Sequence, residues 1–293
     1  YYNDSDVYKL MEGMAYSLDQ EPGTVMRSRL EEVIGLVGRA QRPDGYLNTY
    51  YTLTAPNKRW TNLSRYHELY CAGHLMEAAV AHRRVTGQDH LFDIALKFTD
   101  LIDKRFGPDA RHGVPGHEEI ELGLIRLWKM TGEERYLDLA RFFVDQRGQG
   151  EDRELYGTYS QDHKPLLKQK EAAGHCVRAM YLYSAATELA ALGDADYRKA
   201  MQRLWKDVVH RKMYVTGGVG AQGHGEGFAE PYYLPNKKAY SETCASIGMA
   251  FWNDRMFRLF GEAKFADVFE RVLYNGLLAG VALDGDRFFY TNP

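Results

Sequence analysis

A pattern that occurs four times along the chain constrains the fold more than any other feature of the sequence. Each time, a long apolar segment with helical periodicity ends in a glycine, and an aromatic residue four or five positions later opens a second helical segment. The four pairs are Gly87 and Phe92, Gly132 and Tyr136, Gly193 and Tyr197, and Gly261 and Phe265. Glycine tolerates the left-handed backbone conformation that ends many helices. The pattern therefore predicts four helical hairpins.

The hairpins are expected to pack side by side in a closed ring. Apolar residues follow three of the four aromatic residues at the +3, +4 and +7 positions, so each hairpin has an apolar stripe that it cannot bury alone. The four glycines are separated by 45, 61 and 68 residues, which is too irregular for a solenoid but compatible with a ring whose loops differ in length. We predict an all-α fold, an (α/α)6 barrel, and an incomplete one because ten helices are predicted where six hairpins need twelve.

The ten predicted helices are separated by three long connections. The helices are predicted over residues 4–18, 24–40, 67–87, 90–106, 117–131, 134–147, 174–192, 195–212, 242–260 and 264–280. The connections, over 41–66, 148–173 and 213–241, are rich in Gly, Pro, Tyr, Asn and His, and loops of this length in a compact domain are usually functional. In the first one, a Pro-Asp-Gly turn and a β-leaning run predict a small β-hairpin over the mouth of the ring.

Composition narrows the class of ligand. With 37 Lys and Arg against 40 Asp and Glu, the net charge is −3 and no long run of like charges occurs, which argues against nucleic acid and anionic membranes as partners. No apolar stretch is long enough to cross a bilayer. We expect a soluble protein with an uncharged ligand. The 21 tyrosines suit a carbohydrate, because their rings combine an apolar face with a polar tip.

The cysteines and the two ends of the chain carry weaker information. Three cysteines, an odd and sparse count, argue for reduced thiols rather than a disulfide framework. No leader pattern precedes the first helical segment, which leaves a cytoplasmic or a periplasmic location open. Residues 287–293 resemble a strand that stops without a partner, so we expect a piece of a longer protein. The oligomeric state is open.

Three histidines stand at or just before the starts of long predicted helices. These are His67, His117 and His175. Because alternate helices of a hairpin ring start on the same side, we expect the three side chains to face a central cavity. A capping or core role for each of them is the alternative. Their spacing does not predict a metal site.

Residues 217–245 hold the densest group of candidate catalytic residues. Glu226 lies between glycines in a long loop; it is either solvated or a proton donor whose pKa is raised by burial in the cavity. Ser241 is predicted to cap a helix that has Glu242 and Cys244 in its first turn. The N-terminus of a helix lowers the pKa of a thiol, which makes a thiolate available as a metal ligand. Glu242 and Cys244 are therefore candidates for half of a zinc site. The alternative is that they are a carboxylate in the capping turn and a buried thiol. Residues 217–227 are also rich in glycine, but the Gly-Lys-Ser/Thr sequence of a phosphate-binding loop does not follow them, which argues against a nucleotide site.

Six segments of the chain together resemble glycoside hydrolase family 127, the β-L-arabinofuranosidase family. They are 43–50 (PDGYLNTY), 67–74 (HELYCAGH), 116–122 (GHEEIEL), 174–175 (GH) with 178–179 (RA), 214–218 (YVTGG) and 242–245 (ETCA). The resemblance runs in order over nearly the whole chain. It implies an (α/α)6 catalytic barrel followed by β-sandwich domains, and retaining hydrolysis of an arabinose-containing glycan by a cysteine nucleophile that is bound to zinc.

The resemblance also implies roles for individual residues. Glu226 matches the acid/base glutamate, and Glu242 and Cys244 match two zinc ligands. Substrate contacts are implied for His67, His117, His175 and Tyr46. The other two zinc ligands, a Cys-Cys pair that includes the nucleophile, are expected beyond residue 293. Residues 1–293 are then a catalytic barrel truncated at both ends, without the β-sandwich domains, and this piece alone is expected to bind zinc poorly and to be inactive.

Two other functions remain open on the sequence. Sugar epimerases with this architecture use paired histidines and need no zinc, in which case Glu242 and Cys244 are structural. A non-catalytic toroid that binds sugar without turnover is the second alternative. Metal content distinguishes the hydrolase from the epimerase, and turnover distinguishes both from the binding protein.

Overall fold

The computed structural model describes residues 1–20 and 23–292, and within these ranges the regular structure is helical. The α-helices are α1 (Asp4–Gln20), α2 (Thr24–Ala40), α3 (Thr49–Leu53), α4 (Glu68–Thr86), α5 (His90–Asp103), α6 (Ile120–Thr131), α7 (Glu134–Gln146), α8 (Cys176–Ala191), α9 (Ala195–Arg211), α10 (Thr243–Phe260) and α11 (Ala263–Arg271). Each of the ten predicted helices is present, and their ends lie within three residues of the prediction except for the last, predicted over 264–280, whose α-helix ends at Arg271. None of the described helices is both long enough and apolar enough to span a bilayer.

The glycines that were predicted to end the first helix of each hairpin do so. Gly87, Gly132 and Gly261 are C-caps in the left-handed conformation, with φ of 70°, 75° and 67°. Gly193 follows the C-cap of α8 and also has a positive φ, 101°. The aromatic residue that opens each second helix is buried, at most 2% exposed. In each hairpin, a glycine with positive φ therefore ends the first helix, and a buried aromatic side chain packs the start of the second helix into the core.

The chain divides into two compact units, residues 1–146 and 147–293. In the first unit, α4 packs against α1, α5 and α6, and α6 packs against α7. Every residue of α4 from 68 to 82 is buried, so this helix is covered on all sides, whereas α5 and α7 bury one stripe. Neighbouring hairpins thus complete the burial that a single hairpin cannot achieve.

The second unit is built on the same plan around α8. This helix packs against α9 and α10, and α10 packs against α11. Fourteen of the sixteen residues of α8 are buried, so α8 has the position here that α4 has in the first unit. The chain continues from α11 into a π-helical turn, Val272–Leu277, and a short 3₁₀ turn, Leu278–Gly280. The long connection between α9 and α10 contains Glu226.

The predicted β-hairpin at the start of the first long connection is wrong. Residues Thr49–Leu53 form the short helix α3, and the described residues contain isolated β-bridges but no extended strand. The side chain of Asn48 accepts a hydrogen bond from the Tyr51 backbone N–H at 3.1 Å, and the Asp4 carboxylate accepts one from the Thr49 N–H at 2.8 Å. Two caps at one helix N-terminus favour a helical turn over the β-propensity of the tyrosines.

The expectation that residues 287–293 lack a partner is also wrong for the described part, 287–292. Isolated bridges join Phe288 to Val281 and Thr291 to Glu242, and the Thr243 N–H donates to the Tyr290 carbonyl at 2.9 Å. Pro293 lies outside the described residues. The terminal segment therefore supports the start of α10.

The first unit contains a half-buried carboxylate, Glu12, whose ionisation opposes folding. Burial, and next the charge of Glu77, raises the pKa of Glu12 to about 7, although Arg126 opposes the shift. Folded protein thus keeps a proton that unfolded protein loses near pH 4.5. The contribution of this bound proton to the free energy of unfolding is complete at low pH, and it is lost as the pH rises towards 7.

Replacing Glu12 with Gln is expected to remove this pH dependence. The variant should gain about 1–2 kcal/mol in free energy of unfolding at pH 8 relative to the parent, and almost nothing at pH 4.5. Denaturant unfolding at the two pH values measures this difference. The exposed Glu151→Gln is the matched control. An equal effect of Glu12→Gln at both pH values would contradict the expectation.

Candidate active site

His175 and Glu226 form the centre of the candidate site in the second unit. His175 is the N-cap of α8, and its Nδ1 accepts a hydrogen bond from the Val177 backbone N–H at 3.2 Å. This nitrogen therefore carries no proton, and the proton of the neutral ring is on Nε2. His175 Nε2 lies 2.7 Å from Glu226 Oε2 and donates to it. The helix N-terminus thus selects the tautomer that can hold the carboxylate.

The backbone around Glu226 fixes the loop against the start of α8. The Cys176 N–H donates to the Glu226 carbonyl at 3.0 Å, and the Phe228 N–H donates to the Gly174 carbonyl at 2.9 Å. A Cβ on Gly227 would lie 2.8 Å from the Gly174 carbonyl oxygen, which is too close for any other residue. Glu226 itself has a positive φ of 49°, a strained conformation for a residue with a side chain.

Tyr240 completes the contacts of the Glu226 carboxylate. Its hydroxyl donates to Glu226 Oε1 at 3.1 Å, so each carboxylate oxygen accepts a hydrogen bond. The hydrogen bond from His175 lowers the pKa of Glu226 and outweighs a smaller contribution from burial, because the side chain is 37% exposed. The sequence predicted the opposite direction for an acid/base glutamate. Glu226 is therefore an ionised carboxylate, a proton acceptor, before any ligand is bound.

Glu242 lies beside this pair, but the predicted cap of its helix is wrong. The N-cap of α10 is Glu242 and not Ser241, whose φ is 38°. The first turn is satisfied from the terminal segment, through the Thr243 N–H and the Tyr290 carbonyl, so it needs no serine hydroxyl. One oxygen of Glu242, Oε2, is buried and has no hydrogen-bond partner within the described ranges. Burial is the main reason that the pKa of Glu242 is raised, to about 7.

Glu242 and Cys244, the predicted half of a zinc site, lie at the N-terminus of α10. Cys244 is half-buried in the first turn of α10. Burial is the main reason that the pKa values of Tyr240 and Tyr290 are raised, and the charges of Glu242 and Cys244 add to both shifts, so the two groups have the same tyrosine neighbours. Ligand atoms of His175, Glu226 and Glu242 also lie within 4.8 Å of one another.

The other two thiols are not positioned for this role. Cys71 and Cys176 are fully buried, and burial raises the pKa of both, so that neither is a ready thiolate at neutral pH. Within the described residues, none of the three cysteines forms a disulfide.

The first unit brings His67 and His117 together around Tyr70. The two imidazole rings are 5.8 Å apart, and the Tyr70 ring lies 5.3 Å from His67 and 4.4 Å from His117. His67 is the N-cap of α4, as predicted, whereas α6 begins at Ile120, three residues after His117. The two half-buried imidazoles and the buried Tyr70 ring form one polar aromatic cluster.

Tyr46 lies in the core of the first unit. It is fully buried against Trp60 and Phe98, and its hydroxyl donates to the buried carboxylate of Glu68. Its position therefore supports packing and the orientation of Glu68, and offers no surface for the substrate contact that the resemblance implies.

Sequence reasoning missed the tyrosines that surround Glu226 and Glu242. Tyr240 holds Glu226, Tyr290 neighbours Glu242, and the Tyr159 ring packs on His175 at 5.4 Å. The abundance of tyrosine was visible, but single tyrosines in irregular loops carry no spacing signal that singles out these three.

Comparisons with known proteins agree on one family. The sequence matches the GH127 β-L-arabinofuranosidase catalytic domain over residues 1–293. It is 38% identical, over 99% of this chain and 48% of the relative, to a non-reducing end β-L-arabinofuranosidase of Bifidobacterium longum subsp. longum. A GH127 β-L-arabinofuranosidase structure from Geobacillus stearothermophilus T6 superposes with a TM-score of 0.96 at 48% identity, over 100% of this chain and 49% of that one. The chain thus spans about half the length of these relatives.

A more distant likeness concerns the fold alone. The structure of cellobiose 2-epimerase from Spirochaeta thermophila matches 98% of this chain and 77% of its own, with a TM-score of 0.66 at 12% identity. Together with the GH127 likeness it confirms the predicted fold class, all-α with the (α/α)6 barrel. The match over the entire sequence establishes that this chain belongs to the GH127 β-L-arabinofuranosidase catalytic-domain family.

Proposed function

We propose that this chain is the helical catalytic part of a retaining β-L-arabinofuranosidase that acts on arabinose-containing glycans. One observation carries the proposal: the Glu226 carboxylate is held at both oxygens, by His175 and Tyr240, beside Glu242. The relatives that support the substrate class are β-L-arabinofuranosidases themselves.

In this proposal Glu226 is the acid/base residue. A sugar that enters the site excludes water from the partly exposed carboxylate, and the loss of solvation raises the pKa of Glu226 towards that of a proton donor. The protonated carboxyl group then donates to the departing glycosidic oxygen. In the second half-reaction the carboxylate takes a proton from the attacking water.

His175 and Tyr240 keep Glu226 in place during both steps. Because His175 Nδ1 is occupied by the Val177 N–H, the ring cannot easily take a second proton there, and burial lowers its pKa further. His175 is thus a neutral donor that orients Glu226 and does not compete for its proton. The Tyr240 hydroxyl fixes the other oxygen, so the carboxyl group has one orientation towards the leaving group.

Glu242 and Cys244 are proposed to hold zinc together with two ligands that lie beyond residue 293. When bound, zinc lowers the pKa of a coordinated thiol, which makes a thiolate available as nucleophile at neutral pH. We propose that this nucleophile is a cysteine of that outside pair, in agreement with the family resemblance. His67 and His117 are proposed to contact the sugar.

Product analysis tests the proposed function. The full-length protein that carries this chain is incubated with an aryl β-L-arabinofuranoside in methanol–water, and the products are followed by proton NMR from the first turnover. The expected result is hydrolysis and transfer to methanol, with β configuration in the first product formed. Residues 1–293 alone are expected to give no turnover.

The alternatives give different results in the same experiment. An inverted first product, or turnover by residues 1–293 alone, would contradict the retaining mechanism with an outside nucleophile. Conversion of a reducing sugar to its epimer without hydrolysis would instead identify an epimerase. Binding without any turnover in the full-length protein would identify a sugar-binding barrel.

A further inference from the structure

A second group of metal-ligating side chains lies in the first unit and is made of residues unrelated to the Glu226 site. Glu31 of α2, His82 of α4 and His90, the first residue of α5, come together from three helices. Glu31 Oε1 is 3.3 Å from His82 Nε2, and Glu31 Oε2 is 2.7 Å from His90 Nε2. One ligand atom of each residue lies within 4.8 Å of the other two.

These distances are within about an ångström of what one small cation requires. Two ligands at about 2.1 Å from a tetrahedral zinc ion are about 3.4 Å apart, so shifts of an ångström or so would place all three atoms around one ion. The two imidazole rings are 5.0 Å apart, centre to centre, and nearly perpendicular, so they can approach a common point without stacking. Two imidazoles and one carboxylate form a donor set for first-row divalent metals rather than for Ca²⁺ or Mg²⁺.

The burial of the three side chains combines a fixed ligand with an open entry path. His82 is fully buried, and Thr86 Oγ1 lies 3.4 Å from its Nε2. Glu31 and His90 are 33% and 43% exposed, so an ion can arrive from solvent and water can complete its coordination. His82 Nδ1 is buried and no described residue hydrogen-bonds to it, so the imidazole is incompletely satisfied by the protein's own groups.

Two charged groups of opposite sign act on the His82 imidazole. Glu31 Oε1 lies 3.3 Å from its Nε2, and the positive charge of Arg27 acts on it from nearby. The Glu31 carboxylate supplies the negative charge that offsets Arg27 and the incoming ion.

We propose that Glu31, His82 and His90 bind one divalent transition-metal ion of the Zn²⁺ class, which joins α2, α4 and α5. The ion would replace the two hydrogen bonds of the Glu31 carboxylate by bonds to a common centre. The role is structural, because the site stabilises the packing of three helices and includes none of the residues assigned to the reaction.

Metal titration tests this proposal independently of the proposed function. The full-length protein carrying Cys244→Ser, which removes the thiol of the other candidate site, is freed of metal with a chelator and titrated with Co²⁺ or Zn²⁺ alone. We expect one equivalent of Co²⁺ to bind with weak d–d absorption and no thiolate charge-transfer band. In His90→Ala the dissociation constant should rise at least tenfold, and likewise in Glu31→Gln.

A matched control and a second measurement complete the design. His210→Ala removes an exposed imidazole from a helix of the second unit and should leave the titration unchanged. With Cys244→Ser present throughout, excess Zn²⁺ should raise the melting temperature of the protein and of His210→Ala, but not that of His90→Ala. Binding of equal strength in His90→Ala, or the absence of any ion from the Cys244→Ser protein, would overturn the proposal and leave a hydrogen-bonded His–Glu–His group.

Discussion

Glu226→Gln in the full-length protein is expected to lower kcat/KM for an alkyl or sugar β-L-arabinofuranoside by about 10²–10⁴-fold. The amide keeps the size of the side chain and can still contact His175 and Tyr240, but it cannot give or take the proton. For an aryl arabinofuranoside with a strongly acidic phenol, the loss in the first half-reaction should be much smaller. Such a leaving group departs without protonation, so steady-state kinetics on a series of leaving groups measures the effect.

Chemical rescue and two tyrosine variants make this expectation specific. Azide should accelerate Glu226→Ala and give a β-configured glycosyl azide, because a small nucleophile needs no general base. Tyr240→Phe, which removes one hydrogen bond to the carboxylate, should lower kcat by roughly tenfold with little change in KM. Tyr233→Phe, an exposed tyrosine of the same loop, is the control. A Glu226→Gln variant within threefold of the parent on an alkyl arabinofuranoside would exclude Glu226 as the acid.

The helices were predictable because their signals are local. Periodicity within one segment and a left-handed glycine at its end depend on a few neighbouring residues, so Gly87, Gly132 and Gly261 could be identified as caps from the sequence alone. The short helix α3 could not, because one of its caps is Asp4, which is 45 residues away from Thr49. The residues of α3 have a high β-propensity, but the hydrogen bond to Asp4 stabilises a helix, and a local stretch of sequence does not contain both partners of that bond.

The same distinction explains the outcome at the candidate site. Glu226, Glu242 and His175 were singled out individually, but the direction of the Glu226 pKa depends on a hydrogen bond from a residue 51 positions earlier. Ser241 fits the usual preference for an N-cap, yet the first turn of α10 is satisfied by the Tyr290 carbonyl. The candidate catalytic residues could be identified from the sequence. Their protonation states could not, because these depend on partners that are distant along the chain.

Replacing Cys244 with Ser is expected to remove zinc from the proposed catalytic site of the full-length protein. A serine hydroxyl is not ionised near neutral pH, so the ion would lose a charged ligand and its affinity should fall by at least a hundredfold. Activity should fall by about 10³-fold or more, because the nucleophile would no longer be held as a thiolate. Zinc is counted by atomic emission in a His90→Ala background, so that the site in the first unit contributes none.

Two further variants decide which residues hold the ion. Glu242→Gln should lose zinc as Cys244→Ser does, because the unpartnered Glu242 oxygen is the second ligand that this chain offers. Cys71→Ala, which removes a buried thiol of the first unit, should retain zinc and activity if the fold is kept. If Cys244→Ser keeps its zinc while Glu242→Gln and His175→Ala lose it, the ion is held by His175, Glu226 and Glu242. In that case Glu226 would be a ligand and could not also be the proton donor, so the zinc content of these variants tests the role of the acid/base residue as well as that of the metal.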